Sequence, residues 1–392
     1  MNEYQDQESE PVPQPGLVDG ERVRQRVLGQ VAGRNMWAAV LGFLITGVGL
    51  PLLGVAALGI SRSNGLFDLS HKVGRPYAFF FTCALYLTIG PFFAIPRCAT
   101  TSFTVGLEQI LPHDDKSWLY LLLFSLLFFA VTLVLSLRPG KILTYVGKVL
   151  TPCFLVFLAI MVFVTILHPT TSIGAVEPQG AYAAQPFFTG FLEGYNTMDA
   201  IAGLAFGIVV IDIIRSMGVT DDSDVAKDVL SSGLLTSIPM IVIYVTTILM
   251  GTQSRGLFET SENGGIALAQ ISGHYLGRAG SLVLAVTITC ACLKTAIGLV
   301  TSCSDAFSRM FPKGLSYRAW AVIFTVLSFL ISNFGLSKII SYSLPLLLFL
   351  YPLAITLILL ALFGNLFHHD RAVYVSVTAF TCIAALFDLA KA

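Results

Sequence analysis

Charge is what this sequence has least of. Of its 392 residues only 12% are Asp, Glu, Lys or Arg, while 55% are hydrophobic; a soluble domain carries about a quarter charged. That deficit, with a mean hydropathy of +0.79, excludes an ordinary water-soluble fold and points to a polytopic membrane protein. A single bundle of about ten spans with short loops uses nearly the whole length. Net charge is absent as well: 23 basic and 23 acidic residues cancel, so no basic surface exists to hold nucleic acid. Paired cysteines are also lacking. Cys83, Cys98, Cys153, Cys290, Cys292, Cys303 and Cys382 all lie in apolar runs, with no CxxC and no companion histidine, which removes a disulfide framework and a zinc site and leaves small packing residues. The histidines (His71, His113, His168, His274, His368, His369) stand in loops or at span ends, and HExxH, GxSxG and P-loop patterns are missing. The local signatures of an intramembrane protease, an esterase or a nucleotide-driven pump are therefore absent, and no enzyme and no cofactor are expected.

Nothing apolar precedes the first span. The leader "MNEYQDQESEPVPQPGLVDGER" lacks the hydrophobic core of a secretory signal, so residues 1–27 are expected to be a polar, disordered leader and residues 28–392 the transmembrane domain. Apolar windows of about 20 residues place spans at 36–60, 77–107, 118–137, 142–167, 187–214, 229–250, 280–303, 319–333, 337–363 and 372–389. Arg62, Lys72, Arg75, Arg138, Lys141, Arg215, Lys227, Arg309, Lys313, Arg318 and Arg371 fall in one alternating set of loops, and only Lys116, Arg255, Arg278, Lys338 and Lys391 in the other. The first set is assigned to the cytoplasm. Arg22, Arg24, Arg26 and Arg34 then stand outside, against the rule that the rest obeys. Either flanking charge does not dominate here, or a span that normally precedes residue 36 is absent.

Most spans are plain Leu, Val, Ile and Phe, and three are not. The second, "PYAFFFTCALYLTIGPFFAIPRCATTSFTVGLEQ", carries Gly90-Pro91 and Pro96-Arg97 before Thr100, Thr101, Ser102 and Thr104. Proline frees a helix carbonyl that in hydrocarbon must be met by protein, ion or water, so a site, a cavity or a kink accommodated by neighbours is expected. Arg97 either snorkels or pairs with an acid such as Asp199 or Glu108. The fifth, "FFTGFLEGYNTMDAIAGLAFGIVVIDIIR", is interrupted by Gly194, Asn196, Thr197 and Asp199, and Gly203 and Gly207 follow four residues apart. Its backbone can unwind at 194–199, exposing helix ends able to hold the carboxylate and ammonium of a zwitterion, or pack closely afterwards. Asp199 costs roughly 2.5–3.5 kcal/mol in a bilayer centre if unpaired, so a polar site or an internal partner is expected; Glu193 reads as interfacial. The seventh, "GSLVLAVTITCACLKTAIGLVTSCSDAF", has Lys294 near its middle and Thr295, Gly298, Thr301 and Ser302 on one helical face. That face can complete an oxygen shell for Na⁺, or its hydroxyls can bond back to their own helix. Lys294 reads as a buried ammonium able to supply fixed positive charge or to change protonation.

The runs "GFLITGVGLPLLGV", "LYLTIGPFFAIPRCATTSF", "SLRPGK", "GYNTMDAIAGLAFG", "SENGG", "ACLKTAIGL", "LSYR" and "SNFGLSKIISYSLPLL", in this order from about Leu28 onward, resemble the branched-chain amino acid:cation symporter family. The resemblance implies an all-α membrane protein with the five-plus-five inverted repeat of the leucine-transporter superfamily. It also implies uptake of leucine, isoleucine and valine with Na⁺ or H⁺ across a bacterial cytoplasmic membrane, and says nothing of oligomeric state. In that fold the first and sixth family helices unwind around substrate, and the eighth shares a Na⁺ site with the first. Carried over, Tyr195, Thr197, Met198, Asp199 and Gly203 stand near substrate with Gly90, Pro91 and Phe92 as lining; Thr295, Gly298, Thr301 and Ser302 stand near the cation; Lys294 and Asp199 are candidates for charge coupling. Two departures matter. The polar leader stands where the family has its glycine-rich first helix, and the sequence ends at Ala392, where the twelfth would follow. Each site would lose a wall, so the alternative expectation is a transport-deficient membrane protein that retains at most substrate binding.

Overall fold

The computed structural model describes residues 28–63, 65–108, 111, 117–137, 152, 156–219, 221–261 and 264–391. Expectations for the leader, for Arg22, Arg24, Arg26, Lys116, Arg138, Lys141 and Cys153, and for most of 142–155 fall outside these residues. Among the described residues, seven helices are long and apolar enough to cross a membrane, and three shorter apolar ones stand at the remaining expected spans. In chain order the elements are α1 (Leu28–Ile60), α2 (Leu66–His71), α3 (Arg75–Leu107), α4 (Ser117–Leu137), α5 (Val156–Leu167), α6 (Pro186–Glu193), α7 (Asp199–Ser216), α8 (Asp222–Ser254), α9 (Gly264–Met310), α10 (Tyr317–Ser332), α11 (Leu336–Leu362) and α12 (Arg371–Lys391). No strand occurs among the described residues.

Three boundaries differ from the hydropathy reading. Among the described residues α1 is already helical at Leu28, ahead of 36: Leu28, Val31 and Ala32 are buried and a tight turn at Gly33–Asn35 carries the helix on. Arg34 thus lies within α1, exposed, its amide donating to the Val176 carbonyl at 2.8 Å. The fifth expected span is two helices, α6 and α7, parted by a turn. α9 extends back to Gly264 and is bent at Gly277, whose φ of 59° only glycine adopts readily.

Lipid supplies no hydrophobic drive between helices, so close approach at small residues does much of the work of association. α1 lies along α6 and α7 on a glycine seam. A Cβ at Gly42 would fall on the Phe187 carbonyl oxygen, one at Gly190 on the Ala39 carbonyl, and one at Gly203 would stand 2.8 Å from the Pro51 carbonyl. α8 closes on the other side of α1, where Gly29 meets the Ile248 carbonyl and Thr252 Oγ1 donates to the Gly29 carbonyl at 2.7 Å. The main core surrounds α11, with Leu347, Leu350, Tyr351, Ala354 and Leu357 packed among Phe81 and Leu85 of α3 and Ile201 and Leu204 of α7. Outer faces stay apolar: Leu123, Leu127, Phe163, Leu235, Val286, Leu330 and Phe380 are all exposed, as suits contact with acyl chains.

Basic residues assigned to the cytoplasm gather at one end. Lys72 Nζ donates to the Ser61 carbonyl at 3.1 Å, the Arg371 guanidinium approaches Gly74, and Arg62 acts electrostatically on Asp221. Asp221 caps α8 by accepting from the Ser223 amide at 2.8 Å, and its bonds to Ser223 hold its carboxyl below the usual range.

The seam yields a paired test. Gly42→Ala drives a methyl into backbone, overpacking that costs about 1–3 kcal/mol, and should lower the melting temperature of the purified protein. Gly298→Ala, where nothing lies within 4 Å of a new Cβ, should leave that temperature unchanged or raise it.

Candidate functional site

The site is built around the interruption between α6 and α7. Gly194–Thr197 forms a tight turn and Met198 takes a left-handed conformation at φ 61°, so the helix ladder stops and restarts at Asp199. Gly194 is needed for contact as well as for bending: a Cβ there would collide with Thr46 Oγ1. Carbonyls released by the turn find designated donors. Thr46 Oγ1, in a π-helical stretch of α1, donates to the Phe191 carbonyl at 2.8 Å. Thr197 Oγ1 donates to the Gly194 carbonyl at 2.9 Å and accepts from the Asp199 amide at 3.3 Å. Arg97 Nη1, from α3, donates to the Asn196 carbonyl at 2.6 Å.

Two chemistries flank the turn. On one side Tyr195 stacks on Tyr351 of α11, ring centroids 4.1 Å apart, with Phe191 edge-on to Tyr195 and Met198 buried beside them. On the other the Asp199 carboxylate accepts from Tyr244 Oη of α8 at 2.6 Å. Glu193 and Asp199 both act electrostatically on Arg97, yet among the described residues neither stands within ion-pair distance of it. Asn196 is buried, and its side-chain oxygen has no donor among the described residues. An aromatic cluster and one positive and two negative side chains thus gather at the interrupted helix.

The expected residues divide. Tyr195, Thr197, Met198 and Asp199 come together at the turn. Gly203 lies one turn further on and serves the seam, against Pro51. Gly90 does break its helix, at φ −100° and ψ −120°, but that break is sealed elsewhere: a Cβ on Gly90 would stand 2.8 Å from Cys303 Sγ of α9, and Ser328 Oγ of α10 donates to the Pro91 carbonyl at 3.4 Å. Phe92 turns edge-on to Phe93. It is Arg97, beyond the break, that reaches the turn, and its partner is the Asn196 carbonyl, where either snorkelling or pairing with an acid such as Asp199 or Glu108 was expected. Glu193, read as interfacial, ends α6 immediately before the turn.

On α9, Thr295 is exposed and donates to its own Ala291 carbonyl at 3.1 Å, and Thr301 and Ser302 are half-buried. Lys294, expected to be buried, is exposed beside Gly298. Ala296, Ile297, Val300 and Cys303 supply the buried face of this helix, and the 294–298 edge turns the other way. The main contacts of α9 are with α3, α4 and α10, so the hydroxyl face and the turn stand apart. Sequence reading missed Thr46, Tyr244 and Tyr351. Their only signal was a hydroxyl inside each apolar run.

A cavity of about 260 Å³ opens beside α3, lined by Thr100, Phe103, Glu108, Leu121, Phe334 and Lys338 among others. Thr100, one turn from Arg97, marks its inner end, and Lys338 belongs to the loops assigned outside.

A family model described as branched-chain amino acid transport protein matches residues 24–392. The chain belongs to this family. It is therefore a transport protein, not an enzyme, and a multi-pass membrane protein. The chain is 52% identical over 373 residues to branched-chain amino acid permease BrnQ of Lactobacillus delbrueckii subsp. lactis, covering 95% of this chain and 84% of that one. It is 40% identical over 373 residues to BrnQ of Bacillus subtilis, with 95% and 84% covered. With the branched-chain amino acid transport system 2 carrier protein of Pseudomonas aeruginosa it shares 39% over 360 residues, 92% and 80% covered. Among solved structures, a nucleobase-cation-symport-1 family transporter, closed with bromovinylhydantoin bound, superposes with a TM-score of 0.59 at 14% identity, covering 94% of this chain and 90% of that one. MhsT in complex with L-phenylalanine gives 0.54 at 16% identity, covering 93% and 96%. The chain shares the leucine-transporter-like helical fold of these two structures.

Loss of the Tyr244 hydroxyl strands a carboxylate inside the bundle. Tyr244→Phe should cost about 1.5–3 kcal/mol, the worth of a hydrogen bond to a charged group, read as a lower melting temperature. Combined with Asp199→Asn the same change should cost less, because no charge is left unpartnered.

Proposed function

We propose that this chain imports leucine, isoleucine and valine across a bacterial cytoplasmic membrane together with Na⁺ or H⁺. The observation that carries the reading is the pairing, at one unwound helix turn, of the Tyr195–Tyr351–Met198 wall with the charges of Arg97, Glu193 and Asp199. A branched-chain amino acid has the same two halves, an apolar side chain and a zwitterionic head. The permease names of the relatives support the substrate class.

Coupling follows from charge. One positive and two negative side chains leave a formal charge of minus one at the turn. A zwitterion adds none, and an uncompensated charge in a bilayer is costly. A cation or proton entering with substrate removes the imbalance. Thr295, Gly298, Thr301 and Ser302 on α9 stand apart from the turn, so they are proposed only as oxygen ligands for a Na⁺ held away from it. Asp199 is the proposed charge-coupling residue; Lys294, exposed on α9 and apart from the turn, is proposed only as a fixed positive charge. Nothing observed favours the transport-deficient alternative.

Uptake of labelled leucine into proteoliposomes containing the purified chain tests this directly. Concentrative uptake should appear under an imposed Na⁺ or proton gradient, be dissipated by the matching ionophore, and be competed by isoleucine and valine but not by alanine or lysine. Leucine entry at the rate of protein-free vesicles under both gradients would overturn the proposal.

A further inference from the structure

We infer that Arg97 is the receptor for the substrate's carboxylate. The inference rests on the reading of the turn as an amino-acid site, and goes beyond it by assigning the head group to one side chain.

Arg97 sits past the midpoint of α3, held by a helix that restarts after the Gly90–Pro91 break. A guanidinium presents five N–H donors. Among the described residues only one atom of this group, Nη1, is engaged, with the Asn196 carbonyl at 2.6 Å. The Nε–Nη2 edge has no partner there, and that edge is the fork that matches a carboxylate with two parallel bonds. Glu193 and Asp199 act on Arg97 from beyond ion-pair distance, so its free edge is left open to a carboxylate.

The acceptors are laid out for the other end of a zwitterion. Asn196 Oδ1 is buried without a donor, and Glu193 and Asp199 flank the same turn within electrostatic reach of Arg97. An α-carboxylate on the guanidinium edge places the α-ammonium, two bonds further along the molecule, toward these oxygens. The side chain is then directed to Tyr195, Tyr351 and Met198.

A purely structural Arg97, present to satisfy the Asn196 carbonyl, would give the same loss of stability on mutation but no change in ligand choice. The test therefore measures choice. Binding of leucine and of leucinamide, which keeps the ammonium and side chain but lacks the carboxylate, is measured by calorimetry on the full chain in nanodiscs. The unmodified protein should prefer leucine by roughly 10- to 150-fold, the worth of one charge-assisted contact. Arg97→Gln should bring the ratio close to one, chiefly by weakening leucine, and Arg97→Lys should keep part of it. Equal binding of the two ligands by the unmodified protein overturns the inference without need of any variant, and so does an unchanged preference in Arg97→Gln. If the unmodified protein binds none of leucine, isoleucine or valine, the amino-acid reading itself fails, an outcome distinct from leucine binding that ignores Arg97.

Discussion

A carbonyl released from a helix inside hydrocarbon has no water to turn to, and everything at the centre of this molecule is arranged around that fact. The turn at 194–197 frees several such groups. Thr46 from α1, Thr197 from the turn itself and Arg97 from α3 each bring a donor to one of them. These donors come from different helices, so the open turn persists only while α1 and α3 are docked against it. The glycines at 42, 190, 194 and 203 allow that docking, because each stands where a Cβ would press on backbone or on a hydroxyl that is in use. Local sequence opens the helix, and tertiary packing keeps it open.

The other break obeys the same rule with a different result. Around Gly90 the neighbours are Cys303 and Ser328, and their side chains face the Tyr86 and Pro91 carbonyls. That break is closed by protein, whereas the turn at 194–197 keeps unspent donors and a buried acceptor. Two interruptions that look alike in the sequence thus differ in what is left over once protein groups have been matched. The remainder, not the proline or the glycine, distinguishes a binding place from a bend.

Much of the fold was legible because it rests on composition and period. Long apolar runs located, among the described residues, the seven helices long enough to cross a membrane and the three shorter ones, and Asn196, Thr197 and Asp199 marked the interruption in the fifth. The starting point of α1 was not legible: "LGQVAGRN" is weakly apolar, and what makes it helical is burial of Gly29 and Val31 against α8. The pairing of Asp199 with Tyr244, 45 residues away, was equally invisible, since a lone tyrosine in an apolar run announces no partner. For α9 the period correctly put Thr295, Gly298 and Ser302 on one face. Which way that face points depends on neighbours, and it turned out to leave Lys294 exposed. Sequence patterns report which residues share a surface; packing decides what the surface looks at.

The glycine seam has a mechanical consequence. Where carbonyl oxygens of one helix rest directly on the glycines of another, no side chains remain between them to re-pack, so α1 and its two partner helices cannot slide past one another by small adjustments. They travel as a single stiff strut or stay still. Any change of shape along this part of the bundle is thereby concentrated into the few residues where the ladder is already cut.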